Sequence, residues 1–278
     1  MTHKAVILAA GRGTRMRAAS AAVDLSPAQR GVAQLGLKAM IPIGSRPFLD
    51  YVLSGLADAG IRRVCLVVGP ENREIRDYYS GSGRPDHPDR RPVRLALEFV
   101  EQVEPRGTAD AVLAAEGFAA GDPVLCLNAD NLYPRSALEA LCGLPRAGLA
   151  GFRRSALLRE SNFPPDRVGA FALIEVDSEG ELVRILEKPD PAQAAGFGED
   201  PLVSMNAWLL PPTMYPACRA VVPSPRGELE LQDAIRVAID RWGERFLVIE
   251  SHQGVLDLSQ AEDIPAVEAR LRHVKVRT

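Results

Sequence analysis

The stretch that decides the fold is Ala5-Val6-Ile7-Leu8-Ala9-Ala10-Gly11-Arg12-Gly13-Thr14-Arg15-Met16. It begins with six apolar residues and then breaks into glycine and arginine. A run that is apolar at every position predicts a strand buried on both faces, as in a parallel sheet. Gly11 and Gly13 let main-chain N–H groups approach an anion closely, and Arg15 adds fixed positive charge. Two common phosphate loops are excluded. A dinucleotide fingerprint needs a third glycine where Met16 stands, and a P-loop needs Gly-Lys-Ser/Thr.

Outward from this motif, residues 64–68 and 124–127 are further continuous apolar runs. Val93, Leu95, Leu97 and Phe99 alternate with other residues, as a less buried strand does. Leu49, Val52, Leu53 and Leu56 follow helical spacing up to Gly60. Helices are also predicted over 109–118, 229–242 and 261–271. Strands alternating with helices predict an α/β chain, a mostly parallel sheet covered on both faces. The second half of the chain is patterned differently. Residues 170–176, a turn at Ser178-Glu179-Gly180 and residues 182–187 read as a hairpin, and 202–210 as another strand. Residues 80–92 and 18–36 read as surface loops, with Ser26-Pro27-Ala28-Gln29 starting a short helix in the second. No repeat and no linker divides the chain. One domain is expected over 1–278, its β-rich half from about 151 forming part of the cleft.

Composition narrows the function classes. Hydrophobic residues at 46% and charged residues at 25% exclude a disordered or fibrous chain. Lys+Arg 33 against Asp+Glu 36 leaves a net charge of −3, which removes the global electrostatic case for nucleic acid or a membrane surface. Cys65, Cys126, Cys142 and Cys218 form no Cys-x-x-Cys motif and read as small core residues. The first apolar run is too short for a membrane span or a secretory core, so a cytoplasmic protein is expected. The four histidines are scattered and none is assigned a catalytic role.

The string Leu8 to Arg15 resembles the opening of the sugar-1-phosphate nucleotidyltransferases, the nucleotide-sugar pyrophosphorylases. The resemblance continues through Leu37-Lys38-Ala39-Met40-Ile41-Pro42-Ile43 and Arg46-Pro47-Phe48-Leu49-Asp50-Tyr51-Val52. It then covers Gln102 with Pro105-Arg106-Gly107-Thr108-Ala109, the Asn128-Ala129-Asp130 strand end, Glu187-Lys188-Pro189, and Asp257. It implies a three-layer, Rossmann-like sheet of the GT-A type, with a nucleotide-binding half over about 1–150 and a sugar-binding half after it. Arg106 stands where leucine is frequent among related sequences, and Val255 and Ser259-Gln260-Ala261 replace the usual neighbours of Asp257. The chain stops soon after its last predicted helix, so no long left-handed β-helix acyltransferase domain is expected.

The chemistry can be argued separately. In nucleotidyl transfer a sugar phosphate oxygen attacks the α-phosphate of a nucleoside triphosphate and pyrophosphate leaves. The substrate brings an ionised nucleophile, so the protein needs no Ser, Cys or His for that role. It must align two polyanions and stabilise the leaving charge. The resemblance implies Arg15, Lys38 and Lys188 as the catalytic cations. It implies Leu8, Ala9, Ala10, Gly11, Gly13, Thr14, Gln102, Pro105, Gly107 and Thr108 around the nucleotide. Asn128, Gly169, Glu187, Lys188 and Asn206 are implied around the sugar, and Asp130 and Asp257 as ligands of Mg²⁺. Two carboxylates completed by phosphate and water oxygens suit that ion.

The expected substrates are a nucleoside triphosphate and a sugar 1-phosphate, by default dTTP or UTP with glucose 1-phosphate. No nucleic acid or membrane partner is expected, and relatives are often homo-oligomers. The alternatives are a catalytically inactive nucleotide-sugar-binding regulatory subunit and a transferase using ATP or GTP with an unusual sugar or cyclitol phosphate. An NAD-dependent oxidoreductase is disfavoured by Met16.

Overall fold

The computed structural model describes residues 1–19, 22–70, 72–80 and 94–277. Among the described residues nine strands share the main sheet. In chain order they are β1 (Lys4–Leu8), β2 (Arg63–Val68), β3 (Ala96–Glu101), β4 (Val124–Asn128), β5 (Gly148–Arg153), β6 (Leu173–Val176), β7 (Leu182–Leu186), β8 (Leu202–Leu210) and β9 (Leu247–Ser251). The order β4-β1-β2-β3 is parallel throughout. The long strand β8 reverses direction: its last residues pair antiparallel with β4, its first with β6, and both its ends with β5. β6 and β7 form the expected hairpin, and β9 adds to β5 in parallel.

The continuous apolar runs have a direct physical cause. Successive side chains on a strand point to opposite faces. On β1, Ala5 and Ile7 enter one core while Val6 enters the other; on β2, Val64, Leu66 and Val68 face Cys65 and Val67 across the sheet. The helix Phe48–Asp58 seals the first face with Phe48, Leu49, Val52, Leu53 and Leu56. The helix Leu231–Trp242 seals the other with Leu231, Ala234, Ile235 and Ala238. The three-layer α/β architecture is as expected. All four cysteines are buried free thiols. Among the described residues no helix is long and apolar enough to cross a membrane.

Several elements differ from the sequence reading. The helix expected over 109–118 is two, Thr108–Ala114 and Glu116–Ala119, and the second holds Gly117, a poor helix former. The alternating strand lies at Ala96–Glu101, later than 93–99, and position 93 falls outside the described residues. The loop read over 80–92 lies outside them too, apart from Ser80, which ends the helix Arg73–Ser80. β5 and β9 escape the sequence reading. Glycine hides β5, and glycine is needed there: a Cβ at Gly148 would stand 2.5 Å from the Leu247 carbonyl oxygen of β9.

In the described part of the segment 18–36 the short helix expected from Ser26 is present, but it packs into the core instead of forming a plain surface loop. This helix, Pro27–Leu35, is opened by a capping box in which the Ser26 hydroxyl accepts from Gln29 N and Gln29 Oε1 accepts from Ser26 N. Ala33 is fully buried, and Gln29 Nε2 donates to the Pro42 carbonyl at 3.0 Å. The helix ends on Gly36 at φ 75°, a left-handed cap that delivers the chain to the first glycine loop.

Another glycine joins distant parts of the chain. Gly107 has φ 128°, and a Cβ there would lie 2.4 Å from the Leu229 carbonyl oxygen. Gly107→Ala is therefore expected to lower the unfolding free energy by about 1–3 kcal/mol. Gly169→Ala, where a Cβ would meet nothing within 4 Å, is expected to leave it nearly unchanged. Equal denaturation midpoints for the two variants would contradict this account.

Candidate active site

The carboxyl ends of β1 and β4 open onto a cleft of about 680 Å³, where open α/β sheets bind ligands. Its floor is the glycine loop. Gly13 has φ 59°, and a Cβ on it would lie 2.1 Å from the Gly36 carbonyl oxygen. Two glycine backbones therefore touch, and no larger residue fits either position. Met16, fully buried, anchors the loop from beneath, while Arg12 and Arg15 remain exposed on the cleft side. Leu8, Ala9, Ala10, Gly11, Gly13, Thr14 and Arg15 all line the cleft.

Lys38 starts a short 3₁₀ turn, Lys38–Met40, just after Gly36. Its Nζ stands 2.8 Å from Asp130 Oδ2. Both side chains line the cleft and both are about four-fifths buried, at 18% and 20% exposure. Asp130 follows β4, and the chain then forms the rungs Asn131↔Asp257 and Leu132↔Leu256 of a two-residue antiparallel ladder. Leu258 N also donates to the Asp130 carbonyl at 2.8 Å. Two aspartates far apart in sequence are thereby set side by side. The Ser259 hydroxyl lies between them, 2.8 Å from Asp257 Oδ2 and 3.5 Å from Asp130 Oδ2.

Asp257 is almost fully buried. Its Oδ2 also accepts from Asn131 Nδ2 at 2.9 Å, and its Oδ1 accepts from Ser259 N and from Arg167. Arg167 pairs with Asp263 as well, at 2.7 Å. Burial pushes the Asp257 carboxyl up to about 6, and the charge of Asp130 pushes in the same direction against the opposing pull of Arg167. A hard divalent cation fits this donor set: adjacent carboxylate oxygens whose mutual repulsion a cation would relieve. Among the described residues no cluster of three or more metal-binding side chains forms, so such a cation would rest on two carboxylates and draw its other ligands from phosphate and water.

On the far wall, Gln102 follows β3, and its N–H donates to the Val68 carbonyl at 2.8 Å. Pro105, Gly107 and Thr108 line the cleft beside it. The Thr108 hydroxyl accepts from Leu231 N at 2.9 Å, and Leu229 bonds on both sides of Gly107 through Arg106 O and Ala109 N. This clamp brings Arg226, Gly227 and Glu228 onto the cleft rim.

Of the residues implied for the sugar, Asn128 lines the cleft, and with Asn206, Leu8, Thr108 and Gln232 it lines a small adjoining hollow. Asn206 sits at φ 57° where the register of β8 against β5 breaks, and its Oδ1 accepts from Gln232 Nε2 at 3.1 Å. Lys188 is also left-handed, at φ 45°. Backbone strain of this kind concentrates at functional sites. Glu187, Lys188 and Gly169 do not line the cleft itself, and Asp257 lies behind Asp130 and Ser259. The Glu187 pKa is raised, first by desolvation and then by the charge of Glu230.

The sequence reading missed Arg226, Asn131, Ser259 and Arg167. Arg226-Gly227 in a proline- and serine-rich turn repeats the arginine–glycine pairing of the first loop, the one signal that pointed to it. The other three are found only through their partners across the fold.

Three comparisons bear on this geometry. The family model described as nucleotidyl transferase matches residues 4–271. Among curated relatives, the UTP–glucose-1-phosphate uridylyltransferase AglF of Haloferax volcanii is 27% identical over 269 residues, 97% of this chain and 96% of that protein. The glucose-1-phosphate thymidylyltransferase of Streptomyces antibioticus is 29% identical over 252 residues, 90% of this chain. The bifunctional protein GlmU of Methanococcus vannielii is 28% identical over 236 residues, 85% of this chain. The chain spans 61% of the second and 47% of the third of these relatives. Among solved structures, UDP-glucose pyrophosphorylase complexed with UDP-glucose superposes with a TM-score of 0.75 at 20% identity, covering 99% of this chain and 100% of that one. The match from the first strand to the last helix identifies the chain as a member of the nucleotidyl transferase family.

Proposed function

We propose that the protein is a sugar-1-phosphate nucleotidyltransferase that joins a nucleoside triphosphate to a sugar 1-phosphate, with UTP or dTTP and glucose 1-phosphate as the default pair. The observation that carries this reading is that Asp130 lines a cleft shared with the glycine loop, Arg15 and Lys38, with Asp257 held directly behind it through Ser259. The reaction forms a bond from the sugar phosphate oxygen to the α-phosphorus and breaks the bond from that phosphorus to the β-phosphate oxygen. Pyrophosphate carries the electron pair away, and no protein nucleophile is required.

In this reading, the loop N–H groups of Gly11 and Gly13 with Arg15 hold the triphosphate, and Lys38 neutralises charge at the α-phosphate. Gln102, Pro105, Gly107 and Thr108 flank the base. Asn128, Gly169, Glu187 and Asn206 surround the sugar, and Lys188 meets its phosphate, so the first half of the chain takes the nucleotide and the second, joined by Asn128 of the first, the sugar. Enzymes of this family generally use a divalent metal. Mg²⁺ is the ion proposed here, held by Asp130 and Asp257; when bound it supplies charge neutralisation between the phosphates. Both substrates are cytoplasmic metabolites, and the reaction is assigned to that compartment.

Pyrophosphate release from a panel of triphosphates and sugar 1-phosphates tests the reading, and the folded, metal-replete protein is expected to turn over at least one pair. A second reading, a nucleotide-sugar-binding subunit without catalysis, draws on the occupation of Asp257 by Arg167, Asn131 and Ser259. Calorimetry showing ligand binding without pyrophosphate release would favour it.

Asp130→Asn and Asp257→Asn are each expected to lower turnover by orders of magnitude while leaving the circular dichroism spectrum unchanged. Normal rates in both would remove the metal assignment. The raised pKa of Asp257 sets a pH dependence. The folded carboxyl holds its proton more tightly than an unfolded one, so its contribution to stability is greatest in acid and is lost as pH rises from about 4 towards 6. A divalent cation competes with that proton. Mg²⁺ is therefore expected to raise the melting temperature more at pH 8 than at pH 5, and to do so much less in Asp257→Asn. Equal shifts at the two pH values would contradict the assignment.

A further inference from the structure

Behind the cleft wall, Gln102 belongs to a network whose charged members, Asp110 and Arg106, have no part in the chemistry proposed above. Its Nε2 donates to the Gly107 carbonyl at 2.9 Å and to Asp110 Oδ2 at 2.8 Å. Asp110 is buried, and its other oxygen, Oδ1, is gripped by Arg106 through Nη2 at 2.5 Å and Nε at 3.2 Å. Arg106 is itself more than half exposed, so it reaches in from the surface to hold the carboxylate.

A carboxamide has two chemically opposite ends that a half-turn interchanges. Here the half-turn is blocked. Both partners of the amide nitrogen accept only, one a carboxylate paired with arginine and the other a main-chain carbonyl. Rotation would set Gln102 Oε1 against two oxygens and leave buried groups unpaired. Both N–H groups are thus consumed inside the protein. Oε1 has no hydrogen bond among the described residues, and Gln102 lines the cleft. The only group it can offer a ligand is an acceptor.

We infer that Asp110, aimed by Arg106, is a positioning residue that makes Gln102 an acceptor-only reader, selecting nucleotides whose base carries a ring N–H. Uracil, thymine and guanine present that N–H on their pairing edge. Cytosine and adenine present a lone pair at the same place, which would face the Oε1 lone pairs. The inference rests on the reading that the nucleotide occupies this cleft. It narrows that reading to one class of base and draws in two residues outside the cleft lining.

Calorimetric titration of the wild-type protein with UTP, CTP, GTP and ATP in the presence of Mg²⁺ tests it, alongside pyrophosphate release. UTP is expected to bind at least tenfold more tightly than CTP, and GTP more tightly than ATP. In Asp110→Asn, whose new amide can donate to a rotated Gln102, the UTP-to-CTP ratio is expected to collapse at least fivefold. A purely structural role for Asp110 would weaken all four nucleotides together and leave the ratio unmoved, which would overturn the inference. Equal affinity of the wild type for UTP and CTP overturns it without any variant, so it stays exposed should Asp110→Asn not fold. A protein that discriminates among the bases yet releases no pyrophosphate upholds the inference and overturns the transferase reading instead. Failure of all four nucleotides to bind overturns both.

Discussion

Two like charges are held together at the centre of this molecule by main-chain hydrogen bonds. The rungs Asn131↔Asp257 and Leu132↔Leu256 and the bond from Leu258 N to Asp130 O bring the two aspartates to one hydroxyl. Two carboxylates that share one hydroxyl repel each other, by an amount on the order of a few kcal/mol at the effective dielectric of a partly buried site. The fold bears that repulsion because the ladder is made of main-chain groups whose pairing does not depend on charge, and because Lys38 and Arg167 pair with the two carboxylates. Everything proposed for catalysis follows from a pair of carboxylates that the backbone does not allow to separate.

The surrounding cations divide the work. Lys38 faces the cleft and pairs with Asp130, while Arg167 lies behind and bridges Asp257 to Asp263. A buried ion pair adds little net stability, but loss of one partner leaves an unpaired buried charge and is costly. Arg167 thus keeps Asp257 tolerable in the interior, while burial first and the charge of Asp130 second still raise its carboxyl pKa. Lys38 sits where an incoming polyanion would compete for it. In the proposed reading, one cation serves the scaffold and the other the ligand.

The same division runs through the glycines. Gly13 and Gly36 are required because two backbones touch there, and Gly148 because β9 lies against it. At Gly169 a side chain would meet nothing within 4 Å, so the protein itself does not demand a glycine there. The helix Pro27–Leu35 belongs to the first group. The segment read as a surface loop builds the platform on which the glycine loop rests, and its closing glycine is what contacts Gly13.

Legibility follows interaction range. The runs on β1, β2 and β4 were plain because burial on both faces leaves a local signature that needs no knowledge of the partner. The glycine loop shows in its residue types, and Lys38, Gln102 and Asp130 through the family resemblance that their motifs carry; all of them line one cleft. β5 was not legible, because its glycines answer to a neighbouring strand distant in sequence. Arg167, Ser259 and the Asp110–Arg106 pair were not legible either, since a charged or hydroxyl side chain looks the same in sequence whether it meets water or a buried carboxylate. Local chemistry and periodicity, short-range properties of the chain, were thus determined by the sequence alone. Which aspartates stand together, which cation is spent on the scaffold and which end of the Gln102 amide is held inside the protein were decided by the tertiary structure, because hydrogen bonds and charges act through space over a few ångströms and not along the chain.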